Sequence, residues 1–455
     1  MKEKGWPVPL SWLSPRSLLI IGALFWLLIR LSIYFIDFGV TFTPYAISLM
    51  LLFVGMFVLG TYIVPKWSFD RPQPAVAHTS ESRLAALRLA ANLLFIVTFI
   101  FLSLRLYDLL FTRKLLELGG DVQAARYADL AQIEGRTTGG LSFISGIGFP
   151  IAIPMMVFAV AFRGYLTKRQ NFIAVALFVL YAIYVVLSGN RFIILGPLFL
   201  IFVANAMSTD GFRITGKKMA IFAVIIAIAF SFITVGTIAR DRLYGTQSSA
   251  ETFAAAPYRM NFRPTDEFQM WISEQPTLTQ DVTWGWVGLA WYINHGMYEY
   301  QKLIDYADPS VRQAGVTQFS VAFYFFRVIG LTDIEDNSSD QLPTFGVYNT
   351  FFGPVYLDFG PIGGAIFMVI LGGVAQFLWL GANKKNLFCI LMYPYFSSMI
   401  FSFPTNNLIT NGLGVPIMAM IVVAYLIVYA SGVIKLPKNK SLASAGGQYG
   451  SAGEN

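Results

Sequence analysis

Apolar runs recur along this chain at roughly the length that crosses a bilayer as a helix, about 20 residues. No other feature constrains the fold as strongly. Ten runs are read, at 18–36, 45–64, 89–110, 142–162, 171–188, 192–207, 219–237, 361–381, 387–403 and 413–431. The chain is 56% hydrophobic and only 13% charged, whereas soluble domains carry about a quarter charged residues. A soluble enzyme, a nucleic-acid binder and a disulfide-stapled secreted domain are thereby excluded. The expected fold class is an all-α polytopic membrane protein of about ten transmembrane helices. Lys2, Lys4 and Arg16 precede the first run, as in a signal peptide, but the run is too long for a signal h-region and no small-residue cleavage site follows. It is read as a retained span. The single cysteine, Cys389, lies in an apolar run, which leaves no intramolecular disulfide and no cysteine metal site.

Lysine and arginine bias sets the orientation. With both termini inside, the inner segments hold 18 of the 32 basic residues and five of the 25 acidic ones. Every short connection agrees with this alternation. The inner bases are a mixture of lysine and arginine, whereas the remaining fourteen are twelve arginines with only Lys114 and Lys302. Arginine grips phosphate and carboxylate with a rigid bidentate fork. Twelve arginines on the side that topology does not require to be positive suggest an anionic ligand there. The competing reading pairs them with nearby acids.

The chain is therefore divided into 1–237, with seven helices and a short outer loop near 112–141; 238–360, a large outer loop; 361–431, with three more helices; and 432–455, an inner tail that is Gly/Ser/Ala-rich from Ser441. The short loop is expected to be helical through Leu115–Ala131. The large loop is too rich in aromatic residues for a disordered linker and is expected to be an ordered cap with amphipathic helices. Within it, Trp284–Ile304 reads as a helix lying at the membrane interface through Trp284, Trp286, Trp291 and Tyr292. Val321–Leu331, interrupted by Arg327, is too short to span and reads as a re-entrant or interfacial segment. No internal repeat or inverted symmetry of the transporter kind is found.

Four polar sets stand out. Ser188-Gly189-Asn190-Arg191 joins two apolar runs with almost no loop; topology puts this hairpin at the outer surface, and the sharp turn that Gly189 and Asn190 permit leaves Arg191 pointing into the cavity the hairpin lines. The alternative for Arg191 is a snorkelling side chain. At the end of the seventh run, Arg240 and Arg242 flank Asp241; both arginines can reach one diphosphate from a fraying helix end, or Asp241 simply pairs with one of them. His295 and Glu299 are four apart and share a helix face. Either is a candidate general base, with an interfacial anchor as the plain alternative. Asp358 precedes the Gly/Pro-rich lead-in to the eighth run, where it either caps that helix or orients an arginine. Pro404-Thr405-Asn406-Asn407 adds uncharged polar groups on the same side. Arg126 and Arg136 of the short loop are further candidates, while Arg30 and Arg105, near outer span ends, are explained by snorkelling. Walker A, GxSxG and HExxH motifs are missing, and no outer acidic pair supports a metal site.

The spans, the SGNR hairpin at Ser188–Arg191, the large outer loop before the last three spans and the YLDFGPIGG stretch at Tyr356–Gly364 together resemble the Wzy-type oligosaccharide repeat-unit polymerases, or O-antigen polymerases, of bacterial inner membranes. The resemblance covers most of the chain in architecture, with sequence likeness concentrated in the two short stretches. It implies a GT-C-like fold with a periplasmic cap and no metal or other cofactor. The implied reaction moves a growing glycan from undecaprenyl diphosphate onto a new lipid-linked repeat unit, so the partners are the lipid-linked donor and acceptor, the bilayer and a chain-length regulator. Under that reading Arg191, Arg240 and Arg242 hold the diphosphate, with Arg136, Arg263, Arg126 and Asp358 as auxiliary contacts, and His295, Glu299 or Asp241 is the base. An O-antigen ligase, with similar donor chemistry and a lipid A core acceptor, and a lipid-linked oligosaccharide flippase remain the alternatives.

Overall fold

The computed structural model describes residues 6–65, 80–112, 140–188, 195–208, 212–214, 263–308, 311–334, 350–410 and 413–432. The described residues form helices joined by short turns, with only two two-stranded pairings. In chain order these are β1 (Trp6–Val8), α1 (Pro15–Leu31), β2 (Ile36–Asp37), α2 (Pro44–Ile63), α3 (Ser80–Tyr107) and α4 (Gly140–Ala161, with a 3-10 turn at Phe149–Ile151). Then come α5 (Lys168–Leu187), α6 (Leu195–Ser208), β3 (Phe212–Ile214), β4 (Arg263–Pro264), α7 (Asp266–Ser273) and α8 (Thr277–Tyr306). The last four are α9 (Ser320–Val328), α10 (Phe352–Asn383), α11 (Leu387–Phe401) and α12 (Gly414–Ala430).

The helix starts are written in the sequence. Ser14 and Thr43 cap α1 and α2 by accepting from Ser17 and Ala46 N–H, with Pro15 and Pro44 following at the first helical position. Asn386 caps α11 in the same way, accepting from Cys389 N–H. Among the described residues, five helices are long and apolar enough to cross a membrane: α2, α3, α4, α5 and α10. They leave large apolar side chains exposed in rows, among them Leu51, Leu52, Phe99, Val175, Ile366 and Ile370. A surface of that kind is stable against lipid, not water. The chain is an all-α membrane protein. Helices occupy nine of the ten runs read from the sequence, and the run at 219–237 lies outside the described residues, as do 115–131 and the tail.

Two antiparallel pairings bracket α1. Before it, β1 pairs with β3, Trp6 opposite Ile214 and Val8 opposite Phe212; after it, β2 pairs with β4, Ile36 opposite Pro264 and Asp37 opposite Arg263. They define a terminal end and a loop end of the bundle. The most extensive helix contact is between α2 and α10. There Gly60 lies on the Val369 carbonyl and Gly372 on the Phe57 carbonyl, so closely that a Cβ at either would collide with backbone. Small residues of this kind let helices approach where lipid supplies no hydrophobic drive.

Two expectations are corrected at the loop end. Arg30 does not snorkel: its guanidinium donates to the Tyr298 hydroxyl (2.6 Å) and to the Ile33 and Ile36 carbonyls. Arg105 likewise turns inward, to buried Asp108 (2.9 Å) and the Tyr184 hydroxyl (3.1 Å), and Ser142 donates to the same carboxylate. A charged group among helix ends finds more acceptors inside the protein than at its rim. The helix expected at Trp284–Ile304 is present and starts at Thr277, but Trp284, Trp291 and the whole stretch Asn294–Gln301 are buried against protein. It packs on α1 and α10, not along an interface. The short apolar segment at 321–331 does form a helix too short to span, α9, with Tyr324, Phe325 and Phe326 exposed.

Candidate functional site

The loop end divides into an aromatic half and a polar half, and α8 runs through both. In the aromatic half, α7 and the first part of α8 close over the end of α1. Phe35 stacks on Phe268 at 4.0 Å, Phe38 stacks on Tyr298 at 3.9 Å, and Ile33, Ile36, Trp284 and Val287 fill the space between. Burial pushes the Tyr298 hydroxyl above its ordinary range, and the Arg30 guanidinium pulls it the other way.

The polar half is built where α8, the turn at 311–319, the start of α10 and the turn at 402–410 converge. Gly296 permits this contact: a Cβ there would lie 2.6 Å from the Thr405 carbonyl and 3.4 Å from Thr350 N–H. α10 is not one helix. Gly360 has φ +65° and ψ −170°, a conformation open essentially to glycine alone, and Pro361 follows. A first segment therefore ends at Phe359, and a second, started by a proline that needs no N–H partner, runs on to Asn383.

The turn at 311–319 wraps the end of that first segment. Gln313 and Ala314 N–H donate to the Leu357 and Asp358 carbonyls, which a continuing helix would have satisfied. Ala314 and Gly315 both take positive φ, +50° and +96°, and the reversal brings Thr317 and Gln318 N–H onto the two Asp358 carboxylate oxygens, at 3.0 and 2.6 Å. Successive N–H groups presented in this way form a nest for an anion, and here the anion is the protein's own. Asn407 donates to the Gln318 side chain (2.9 Å) and to the Phe351 carbonyl (3.4 Å), tying the 402–410 turn to the same network. Arg312 lies over the Tyr356 ring, 5.0 Å from its centroid.

Of the residues singled out in the sequence, Asp358 lies in this junction, and His295 precedes Gly296, whose backbone lies against Thr405 and Thr350. His295 is buried, stacked on Trp291 at 4.5 Å, with Nδ1 3.3 Å from the Trp291 carbonyl. Glu299, one turn on, accepts from Lys302 at 2.7 Å. Among the described residues, Asp358 neither caps the helix that follows it nor pairs with an arginine; it holds the 311–319 turn. Arg263 is exposed in β4, in the aromatic half. Arg126, Arg136, Arg191, Arg240, Asp241 and Arg242 lie outside the described residues. Sequence reasoning missed Arg312, Gln318 and the role of Gly360. The one signal for Arg312 was its membership of the twelve outer arginines. Among the described residues, no three His, Cys, Asp or Glu side chains cluster as metal ligands would.

Compared with family models, with curated proteins and with solved structures, the chain matches none.

Proposed function

We propose that this chain is a repeat-unit polymerase with about ten spans and a GT-C-like architecture, which joins undecaprenyl diphosphate-linked oligosaccharides at the periplasmic face of a bacterial inner membrane. The observation that carries the reading is where the buried ionisable groups lie. Among the described residues, the buried carboxylates and imidazole of Asp108, His295, Glu299 and Asp358 all belong to the loop end, and Asp358 stands at a junction of loops and a broken helix. A transporter would need such groups along a path through the bundle. A glycosyltransferase needs them at one dry face, where preorganised charge acts on a developing anion.

In the proposed reaction an acceptor hydroxyl of the new repeat unit attacks the anomeric carbon of the growing glycan. The bond from that carbon to the diphosphate breaks, and its electron pair leaves with undecaprenyl diphosphate. The hydroxyl proton passes to His295, Glu299 or Asp241. Arg191, Arg240 and Arg242 stabilise the leaving charge, and Arg126, Arg136 and Arg263 make auxiliary contacts. Asp358 acts at one remove, by fixing the 311–319 turn.

The test is complementation of a strain that makes the matching repeat unit but lacks its own polymerase. Wild type restores a multi-band glycan ladder, and normally expressed Arg191→Ala leaves a single-repeat band. A ladder from repeat units alone also separates a polymerase from a ligase. Well-expressed wild type that gives no ladder overturns the reading.

A further inference from the structure

Arg312 stands apart from the other described arginines of the loop end. Arg30 and Arg105 are saturated by hydroxyl, carbonyl and carboxylate acceptors, Arg327 lies over the Tyr324 ring, and Arg263 is exposed. The Arg312 guanidinium is wedged between the Tyr356 ring and Gly360, where a Cβ would come within 2.9 Å of Nε and 3.3 Å of Nη2. Nη1 is buried with no hydrogen-bond partner, and among the described residues no carboxylate pairs with the side chain. Asp358 accepts from Thr317 and Gln318 N–H and, among the described residues, forms no ion pair with Arg312. A cation kept partly out of water without acceptors is unfavourable unless a ligand supplies them.

The surroundings fix both the position of this group and the level at which it sits. The turn that carries Arg312 is anchored by four backbone donors to the end of the first α10 segment, so the fork is held in place before any ligand arrives. Beside it, in the first turn of α2, Tyr45 is 52% exposed, with its hydroxyl in the electrostatic field of Tyr356 and Arg312. Directly after Gly360, the long segment of α10 exposes Ile362, Ile366 and Ile370, an apolar ridge leading away from the charge into the bundle's lipid-facing surface.

We propose that Arg312, with the Tyr45 and Tyr356 hydroxyls, is a receptor for the phosphoryl group of a lipid whose chain lies along the Ile362–Ile370 ridge. The guanidinium fork suits two phosphoryl oxygens at once, and the phenols supply further donors. A polyprenyl diphosphate and a bulk anionic phospholipid share this chemistry. The site deepens the polymerase reading, on which it rests only for the choice of the first probe.

The experiment uses the full chain in phosphatidylcholine nanodiscs, with binding followed by tryptophan fluorescence. One arm titrates polyprenyl diphosphate, a second replaces phosphatidylcholine stepwise by phosphatidylglycerol, and a third adds the phosphate-free polyprenol. Wild type binds saturably in the first or second arm, which identifies the source of the phosphate, and not in the third. Arg312→Gln weakens that binding at least about 10-fold, and Arg312→Lys less, because an ammonium keeps the charge but loses the fork. The ligand-free melting temperature of Arg312→Gln stays at or above that of wild type. Unchanged binding in Arg312→Gln overturns the proposal, as does weaker binding accompanied by a lower ligand-free melting temperature, which marks a structural arginine. Wild type that binds polyprenyl diphosphate but makes no ladder removes the polymerase and keeps the receptor. A wild-type ladder with unchanged binding by Arg312→Gln does the reverse.

Discussion

In the aromatic half of the loop end, Arg30 lies against the rings of Phe38 and Tyr298 and donates to a hydroxyl and two carbonyls. In the polar half, Arg312 lies against the ring of Tyr356 and donates to nothing among the described residues. The two guanidiniums share a kind of ring contact and differ in what completes them. The first is consumed by the fold, because it joins α1 to α8 and closes the chain reversal at Ile33–Ile36. The second is held ready by a turn whose own anion, Asp358, is engaged by the Thr317 and Gln318 N–H groups. A saturated cation near a helix end reports on architecture, and an unsaturated one held by preorganised backbone reports on a ligand.

The sharpest way to break this contrast is at Asp358. Asp358→Ala leaves two buried N–H groups, those of Thr317 and Gln318, without acceptors. At about 1–3 kcal/mol for each orphaned donor, we expect a loss of about 3 kcal/mol in thermal unfolding of the purified protein. Asp358→Asn keeps one acceptor oxygen and should lose about half as much. Asp358→Ala with wild-type stability would mean that the 311–319 turn is held by something else, and the contrast would fail. Arg30→Gln should lower stability by about 2 kcal/mol, since charge-assisted bonds to a hydroxyl and two carbonyls are lost. Its affinity for polyprenyl diphosphate should stay within about twofold of wild type, well under the factor of ten that 1.4 kcal/mol represents. That pattern is the inverse of the one expected for Arg312→Gln, so measuring both variants side by side sharpens the comparison. The smallest effect is expected for Ser32→Ala, which removes the hydroxyl accepting from Trp286 Nε1 at 3.2 Å. An exposed bond of this kind should change the unfolding free energy by less than about 0.5 kcal/mol; a larger change would show that the aromatic half depends on its rim.

The helices were legible because lipid imposes length and polarity together, and Pro44, Pro361 and Asn386 even mark their starts. Legibility ended where a helix breaks its own rule. Phe352–Phe359 reads as a Gly/Pro-rich lead-in because Gly353 and Pro354 look like loop residues, yet proline is tolerated in the first turn of a helix, where its missing N–H has no partner to lose. The start of α8 at Thr277 was missed because the tryptophans from position 284 onward dominate the pattern. Snorkelling accounts for Arg30 and Arg105 in the sequence because distance to a span end is all that spacing gives for Tyr298 and Tyr184, which arrive from other helices, although Asp108, three residues on from Arg105, is in view. The junction itself joins residues near 295, 317, 358 and 407, and spacing in the chain gives no sign that they meet. The proposed diphosphate arginines, 191, 240 and 242, remain as the sequence left them, outside the described residues.

The glycine contact between α2 and α10 has a consequence for how the protein is made. Roughly three hundred residues separate the end of α2 from the start of its partner. At the usual rate of about 5–20 residues per second, that interval lasts on the order of 15 to 60 seconds. Throughout it, α2 has already emerged from the ribosome while the helix that covers Gly60 does not yet exist. Assembly of this bundle therefore waits on late synthesis, and whatever shelters the bare face of α2 in the meantime governs how much of the newborn chain matures.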